Sequence, residues 1–173
     1  MNDVQSLKEL AFGDVERELK VTRDVLAAIP ADKFPWKPHP RSMSLMQLGI
    51  HVASLPEWLR DALDRDELDF STAPRPPKEV AANAALLALF DHDAQELRQA
   101  IANFDMDRWN RIWTLRNGDQ IFTAQPRPKV FRIWCMNHLI HHRGQLCLYL
   151  RLLEIKVPTV YFNTADDPTL VFD

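Results

Sequence analysis

The chain has 173 residues, of which 46% are hydrophobic, and this size and composition predict one domain over residues 1–173 with a sizeable core. Its formal net charge is −3 and its basic residues are scattered along the chain, which supplies no basic patch and excludes nucleic acid as a partner. The charged amino-terminal segment and the lack of an apolar run of ~20 residues exclude a membrane partner, so we expect a cytoplasmic protein.

Four segments have apolar residues at helical spacing, with turn residues between them. Short connections force neighbouring helices to run antiparallel, whereas the long connection between the second and third segments permits a crossover. We therefore predict an all-α fold, a four-helix bundle with a long crossover between helices 2 and 3. The segments run from about Asp3 to Ile29, from a cap at Ser42 or Ser44 to Asp64, from Lys78 to Asn103, and from Arg127 to Glu154.

A short segment between the third and fourth helices predicts strands rather than a helix. Residues 111–122 read RIWTLRNGDQIF, which is two strand-like runs around Asn117 and Gly118. These residue types suit the positive backbone angles of a tight turn. We predict a small β-hairpin before helix 4.

The two cysteines are predicted to stay reduced. Cys135 and Cys147 lie twelve residues apart on one predicted helix. At roughly 1.5 Å of rise per residue, that separation is too long for a disulfide. Both are expected to be core residues.

The fourth segment gathers three histidines in an apolar run, WCMNHLIHHRGQL over residues 134–146. Residues four apart project from one face of a helix, so His138 and His142 can bind one ion. The stripe that contains them is otherwise mostly apolar, which directs the pair into the interior. His141 lies about 100° around the helix from His142, so we do not count it among the ligands and expect it to lie behind them or beside the pocket.

A third ligand is needed, because open catalytic zinc sites usually have three protein ligands. His51 is the candidate, since it lies between Leu48 and Leu55 on the inward stripe of helix 2. Pro56 follows, and its ring clashes with the preceding helical turn. We therefore expect the helix to kink or open just beyond His51.

Of the residues near the histidines, two have two interpretations each and the others have one. Gln145 is either a hydrogen-bond partner near the ligands or a polar end of the stripe, and Trp134 either walls a pocket or belongs to the core. Arg143 is expected to pair with Asp166 or Asp167. Close helix packing explains the presence of Gly49 and Gly144 within helices. Glu18, Asp14 and Asp91 are the acidic residues whose spacing points inward, but carboxylates are usually exposed and we expect these three to be exposed as well. No general acid or base is therefore assigned, and the catalytic residues are left unknown.

The chain resembles the DinB family, the DinB/YfiT-like metalloenzyme superfamily, over almost its whole length. The most specific parts are the helix-2 histidine followed by Ala53, Pro56 and Trp58, and the HxxxHRGQ block of helix 4. The resemblance implies a divalent transition metal, Zn²⁺ or Ni²⁺, held by His51, His138 and His142. It also implies a homodimer and, from members with assigned activities, chemistry that depends on a low-molecular-weight thiol.

Three functional hypotheses follow. The first is a metal-dependent enzyme, either a thiol-dependent S-transferase or a hydrolase, which uses three histidines and an open coordination position on a small-molecule substrate. The alternative is a non-catalytic metal-binding or ligand-sensing helical bundle that can form a dimer. In the third, the histidines are simply core residues. Aromatic clusters around Phe34–Trp36 and Trp109–Trp113 are expected to be exposed and favour a dimer.

Overall fold

A computed structural model describes residues 3–75 and 78–168. The chain is mostly helical and carries one small three-stranded sheet, so "all-α" is too narrow a class. The helices are α1 (Asp3–Phe12), α2 (Val15–Ala27), α3 (Leu45–Ala53), α4 (Leu55–Asp64), α5 (Asn83–Asn103), α6 (Arg127–Lys129) and α7 (Asn137–Leu152), with 3₁₀ turns at Ala31–Lys33 and Met106–Arg108 and a π-helical segment at Val130–Met136.

The predicted first helix is two helices, α1 and α2, which meet at Gly13. The backbone nitrogen of Gly13 donates to the Glu9 carbonyl oxygen at 2.8 Å. A Cβ atom at this position would lie 2.6 Å from the same oxygen, which is too close for any other residue. The glycine therefore allows the turn that separates the helices.

The predicted second helix is also divided, just beyond His51 as expected. Ser44 is the N-cap of α3: its hydroxyl accepts from Gln47 N, and the Gln47 side chain accepts from Ser44 N. Helix α3 ends at Ala53, and Pro56 lies in the first turn of α4, where a missing backbone donor costs nothing. The break separates α3, which carries His51, from α4.

The predicted hairpin is confirmed as strands β2 (Ile112–Asn117) and β3 (Gln120–Pro126). Its two-residue loop is Gly118-Asp119 rather than Asn117-Gly118, and Gly118 adopts the positive φ of 56° that such turns need. A third strand, β1 (Glu67–Asp69), pairs in parallel with β2 and was not predicted.

The Asp69 carboxylate links β1 to the hairpin. It accepts hydrogen bonds from Gly118 N at 3.0 Å and from both the nitrogen and the hydroxyl of Ser71. These bonds lower the pKa of Asp69 to about 2, because they stabilise the charged form. This ionised side chain thus adds to the pairing of β1 with β2 in attaching the crossover to the sheet.

The long helices pack around a shared apolar core. Helix α2 contacts α5 and α7, α3 contacts α5 and α7, and α4 contacts α5 and the π-helical segment. The aromatic clusters expected at the surface belong to this core instead. Phe34 and Trp113 are buried, while Trp36 and Trp109 are half-buried against other aromatic rings. Within the described residues, no helix is long and apolar enough to cross a membrane.

The two mid-helix glycines differ. A Cβ at Gly49 would meet Ile29 and Leu86 at 3.2 and 3.3 Å, so close packing explains this glycine as predicted. At Gly144 the prediction is wrong, because a Cβ there would meet nothing within 4 Å. The cysteines are both free; Cys135 is buried and Cys147 is half-buried.

Candidate metal centre

Three imidazole rings from two helices converge at one point. His51 lies in the last turn of α3, and His138 and His142 lie in the first half of α7. The Nε2 atoms of His51 and His138 are 3.1 Å apart, and one nitrogen from each of the three rings lies within 4.8 Å of the other two. The ring centres are 4.5 to 5.0 Å apart. These three residues could hold a metal ion.

The local fold explains this convergence. Helix α3 packs on α7, so the inward faces of the two helices oppose each other. On α7, the four-residue spacing places both histidines one turn apart on one face. The π-helical segment Val130–Met136 ends directly before α7. The ring of His138 is hydrogen-bonded to the backbone of Trp134, which lies in that segment.

The rings are kept neutral. Burial, and to a smaller extent the neighbouring rings of His142 and His138, lower the pKa of His51 to about 4. Burial also lowers the pKa of His138 and of His142. Since the imidazole must be unprotonated to coordinate, all three rings are ready to accept an ion at neutral pH.

Gln145 contacts the outer nitrogen of one candidate ligand. Its Oε1 atom lies 2.8 Å from His142 Nδ1. An Nδ1–H that donates to this oxygen leaves the other nitrogen, Nε2, free for a metal. Metal-binding histidines usually have such an outer partner, which sets the tautomer and the ring direction. Of the two interpretations of Gln145, the structure supports the hydrogen-bond partner.

The other predicted neighbours stand further away. His141 is exposed on the outer side of α7, and only its ring edge approaches His142, at 4.8 Å between centres. The Trp134 side chain is half exposed and does not line the cavity beside His51. It therefore neither belongs to the core nor walls that cavity.

The donor set fits a divalent transition metal. Two ligands of a tetrahedral ion with bonds of ~2.0–2.1 Å lie about 3.3 Å apart, close to the 3.1 Å between His51 and His138. Among the described residues, no cysteine or carboxylate joins the group. The Cys135 sulfur instead approaches the Trp58 carbonyl oxygen, and burial raises the pKa of this thiol to about 12. Three protein ligands leave room for a further group on the ion.

The predicted pairing of Arg143 is wrong. Arg143 is buried and lies 2.6 Å from the carboxylate of Glu18, which is buried as well rather than exposed. Tyr161 completes the cluster through hydrogen bonds to both side chains. Asp166 pairs with Arg151 instead. A sequence signal existed: Glu18 lies on the same helical stripe as Val15 and Thr22, which are buried.

The fold and the site together define the class of this protein: it is mostly helical and carries a candidate metal centre of three histidines. A profile of the DinB family matches residues 3–169, and the chain belongs to that family. It is similar to two solved structures of DinB-like proteins. The one from Bacillus subtilis has a TM-score of 0.69 and 17% identity, covering 87% of this chain and 97% of that one. The one from Bacillus cereus has a TM-score of 0.65 and 19% identity, covering 87% and 95%.

At these identities, the two structures show the fold alone. No curated protein shows a significant match to the chain.

Proposed function

We propose that this DinB-family protein is a metal-dependent enzyme, either a thiol-dependent S-transferase or a hydrolase, that acts on a small molecule. The convergence of three neutral imidazoles from α3 and α7 carries the proposal. A divalent ion bound there would activate a thiol or a water molecule by lowering its pKa. Neutral nitrogen ligands suit Zn²⁺ or Ni²⁺ better than the hard cations that prefer oxygen.

The protein's own residues prepare the site. Burial keeps the rings unprotonated, and Gln145 orients His142. His51 also lines a cavity of about 660 Å³, so a small molecule can approach the cluster from that side. This combination of a fixed donor set and adjoining space is what an open site requires.

Elemental analysis tests the proposal, using protein purified without a histidine tag. His142→Ala removes one donor and should abolish most of the bound metal. His141→Ala is the matched control, because it removes the neighbouring exposed histidine and should leave the metal content unchanged. Unchanged metal in His142→Ala would remove the basis of the proposal.

A non-catalytic metal-binding or ligand-sensing protein is the second candidate. It is favoured by the surroundings of the cluster: Glu57, a carboxylate in the cavity, is held in ion pairs with Lys78 and Arg75. Glu57 is therefore poorly placed to accept a proton. Turnover of an electrophile in the presence of a low-molecular-weight thiol, lost in His142→Ala, would exclude this candidate. Stabilisation by ligands without turnover of any thiol or ester would favour it.

Three further properties belong to the proposal. The contacts of α2 and α3 with α5 and α7 support the four-helix bundle with a long crossover. The unpaired cysteines support a reducing, cytoplasmic location. Exposed apolar residues on α1, above all Leu10, support a homodimer. Light scattering coupled to size-exclusion chromatography measures the oligomeric state directly.

A further inference from the structure

The cavity beside His51 combines an apolar wall with charged side chains. Met43, Met46 and Ile50 supply apolar surface, and methionines adapt to different apolar shapes. The charged residues that line it are three cations, Arg41, Arg75 and Lys78, and two carboxylates, Glu57 and Glu79. Among the residues that line the cavity, the cations therefore outnumber the carboxylates by one.

Two of the cations are already neutralised. Lys78 Nζ lies 2.9 Å from Glu57 and 3.4 Å from Asp93. Arg75 pairs with Glu57 at 3.3 Å and with the buried carboxylate of Asp61. Its guanidinium also lies 4.6 Å from the centre of the Trp58 ring. These groups build the wall and are not free to bind a ligand.

Arg41 differs from both. It lies just before the cap of α3, is exposed, and makes no ion pair with any residue in the described ranges. Within the part of the chain that the structure describes, the one hydrogen bond of Arg41 is donated by its backbone nitrogen to the ring of His39. A guanidinium offers a planar set of donors that matches a carboxylate, sulfonate or phosphate. Arg41 therefore supplies an unneutralised positive charge at this cavity.

We propose that this cavity binds a small organic anion, with its apolar part against Met43, Met46 and Ile50 and its anionic group on Arg41. The inference rests on the proposed function for one point only, that the ligand is the substrate of the metal centre. Three neutral imidazoles would leave the charge of a bound cation uncompensated, which also favours an anion. Glu79, the other charge without an ion pair in the described ranges, disfavours an anionic group at its own position.

The test is a titration followed by amide proton–nitrogen NMR, with hexanesulfonate as the probe. Hexanol and hexylammonium have the same apolar chain with a neutral and a cationic end. The proteins are the wild type, Arg41→Gln, Arg41→Lys, and Arg111→Gln as a control at an exposed arginine outside the cavity. Each is titrated both without metal and loaded with Zn²⁺.

Hexanesulfonate should bind the wild type about tenfold more tightly than hexanol, and Arg41→Gln should remove that preference. Arg41→Lys should keep part of it, and Arg111→Gln should keep it all. The amide signals of Met46 and Ile50 should move in the wild type. The inference is overturned if Arg41→Gln binds the anion as tightly as the wild type, or if hexylammonium binds best.

The metal-free titration separates this inference from the proposed function. Arg41 is not a candidate ligand, so its effect should be the same with and without Zn²⁺. A protein that binds no metal but shows the Arg41-dependent preference would refute only the proposed function. Binding that requires Zn²⁺ and ignores Arg41 would refute only the anion site.

Discussion

The buried ion pair between Glu18 and Arg143 allows a sharp prediction about stability. Their charged atoms lie 2.6 Å apart, and the side chains are only 5% and 2% exposed. Replacement of Glu18 by Gln removes the negative charge and keeps the size of the side chain. Arg143 then retains Thr22, the Glu18 carbonyl oxygen and Tyr161 as hydrogen-bond acceptors, but its charge is buried without a counterion.

Removing one partner of a buried pair costs about 3–5 kcal/mol, because the remaining charge stays desolvated. With a urea m-value of about 2 kcal/mol per molar, the unfolding midpoint of Glu18→Gln should fall by about 1.5–2.5 M. Glu16→Gln is the matched control on the same helix. Glu16 pairs with Arg98, but the two side chains are 65% and 41% exposed, so this change should cost under about 1 kcal/mol.

Urea unfolding followed by circular dichroism measures both variants. A double variant, Glu18→Leu with Arg143→Met, should recover most of the loss, since two apolar side chains leave no buried charge. The reasoning is refuted if Glu18→Gln costs no more than Glu16→Gln. It is also refuted if the double variant is less stable than Glu18→Gln.

Three further predictions follow. Gln145→Ala should weaken metal binding by about 10–100-fold, because His142 loses the partner that orients it; competition with a chelating dye measures this, and an unchanged affinity would show that Gln145 has no such role. The pKa of His51 is lowered to about 4 in the folded chain, so the unfolded chain binds more protons between about pH 6.5 and pH 4. The contribution of His51 to the stability of the metal-free protein should therefore be full above pH 6.5 and should be lost as the pH falls toward 4. Thermal unfolding should show a smaller loss of stability over this pH range in His51→Gln. An equal loss in both proteins would contradict the lowered pKa of His51. Gly144→Ala should stabilise the chain by up to about 1 kcal/mol, since the added Cβ meets open space in a helix. Gly49→Ala should not give that gain, because Ile29 and Leu86 crowd the same atom; equal effects in thermal unfolding would refute the difference.

Periodic patterns predicted the helices well. The apolar stripes located the four helical segments, and Pro56 located the break after His51, because a proline ring acts on the helix through local geometry alone. The turn at Gly13 was missed, since a glycine within a helical pattern does not by itself mark a break. Strand β1 was missed for another reason. Its residues Glu67–Asp69 are mostly charged, and they form a strand only because β2 lies beside them.

The residues of the candidate site differ in how much of their position could be predicted from the sequence. The spacing of His138 and His142 on one helix sufficed to place both rings on one face. His51 required the further inference that its own apolar stripe faces inward. The contact of Gln145 with His142 depends on side-chain rotamers, so the sequence left it as one of two choices. Arg143 was assigned to Asp166 or Asp167 in the carboxyl-terminal tail, whereas its partner Glu18 lies on α2, which is far from Arg143 along the chain although it packs on α7.

The most direct test of the three-histidine site is equilibrium dialysis with Zn²⁺ on the wild type and His51→Ala. His51 is the one candidate ligand from α3, so it tests whether the two helices share one ion. We predict one ion per chain in the wild type and an affinity lowered by more than about 100-fold in His51→Ala, since even loss of an outer partner of a ligand costs about 10–100-fold. Equal affinity in the two proteins would contradict a centre shared by α3 and α7.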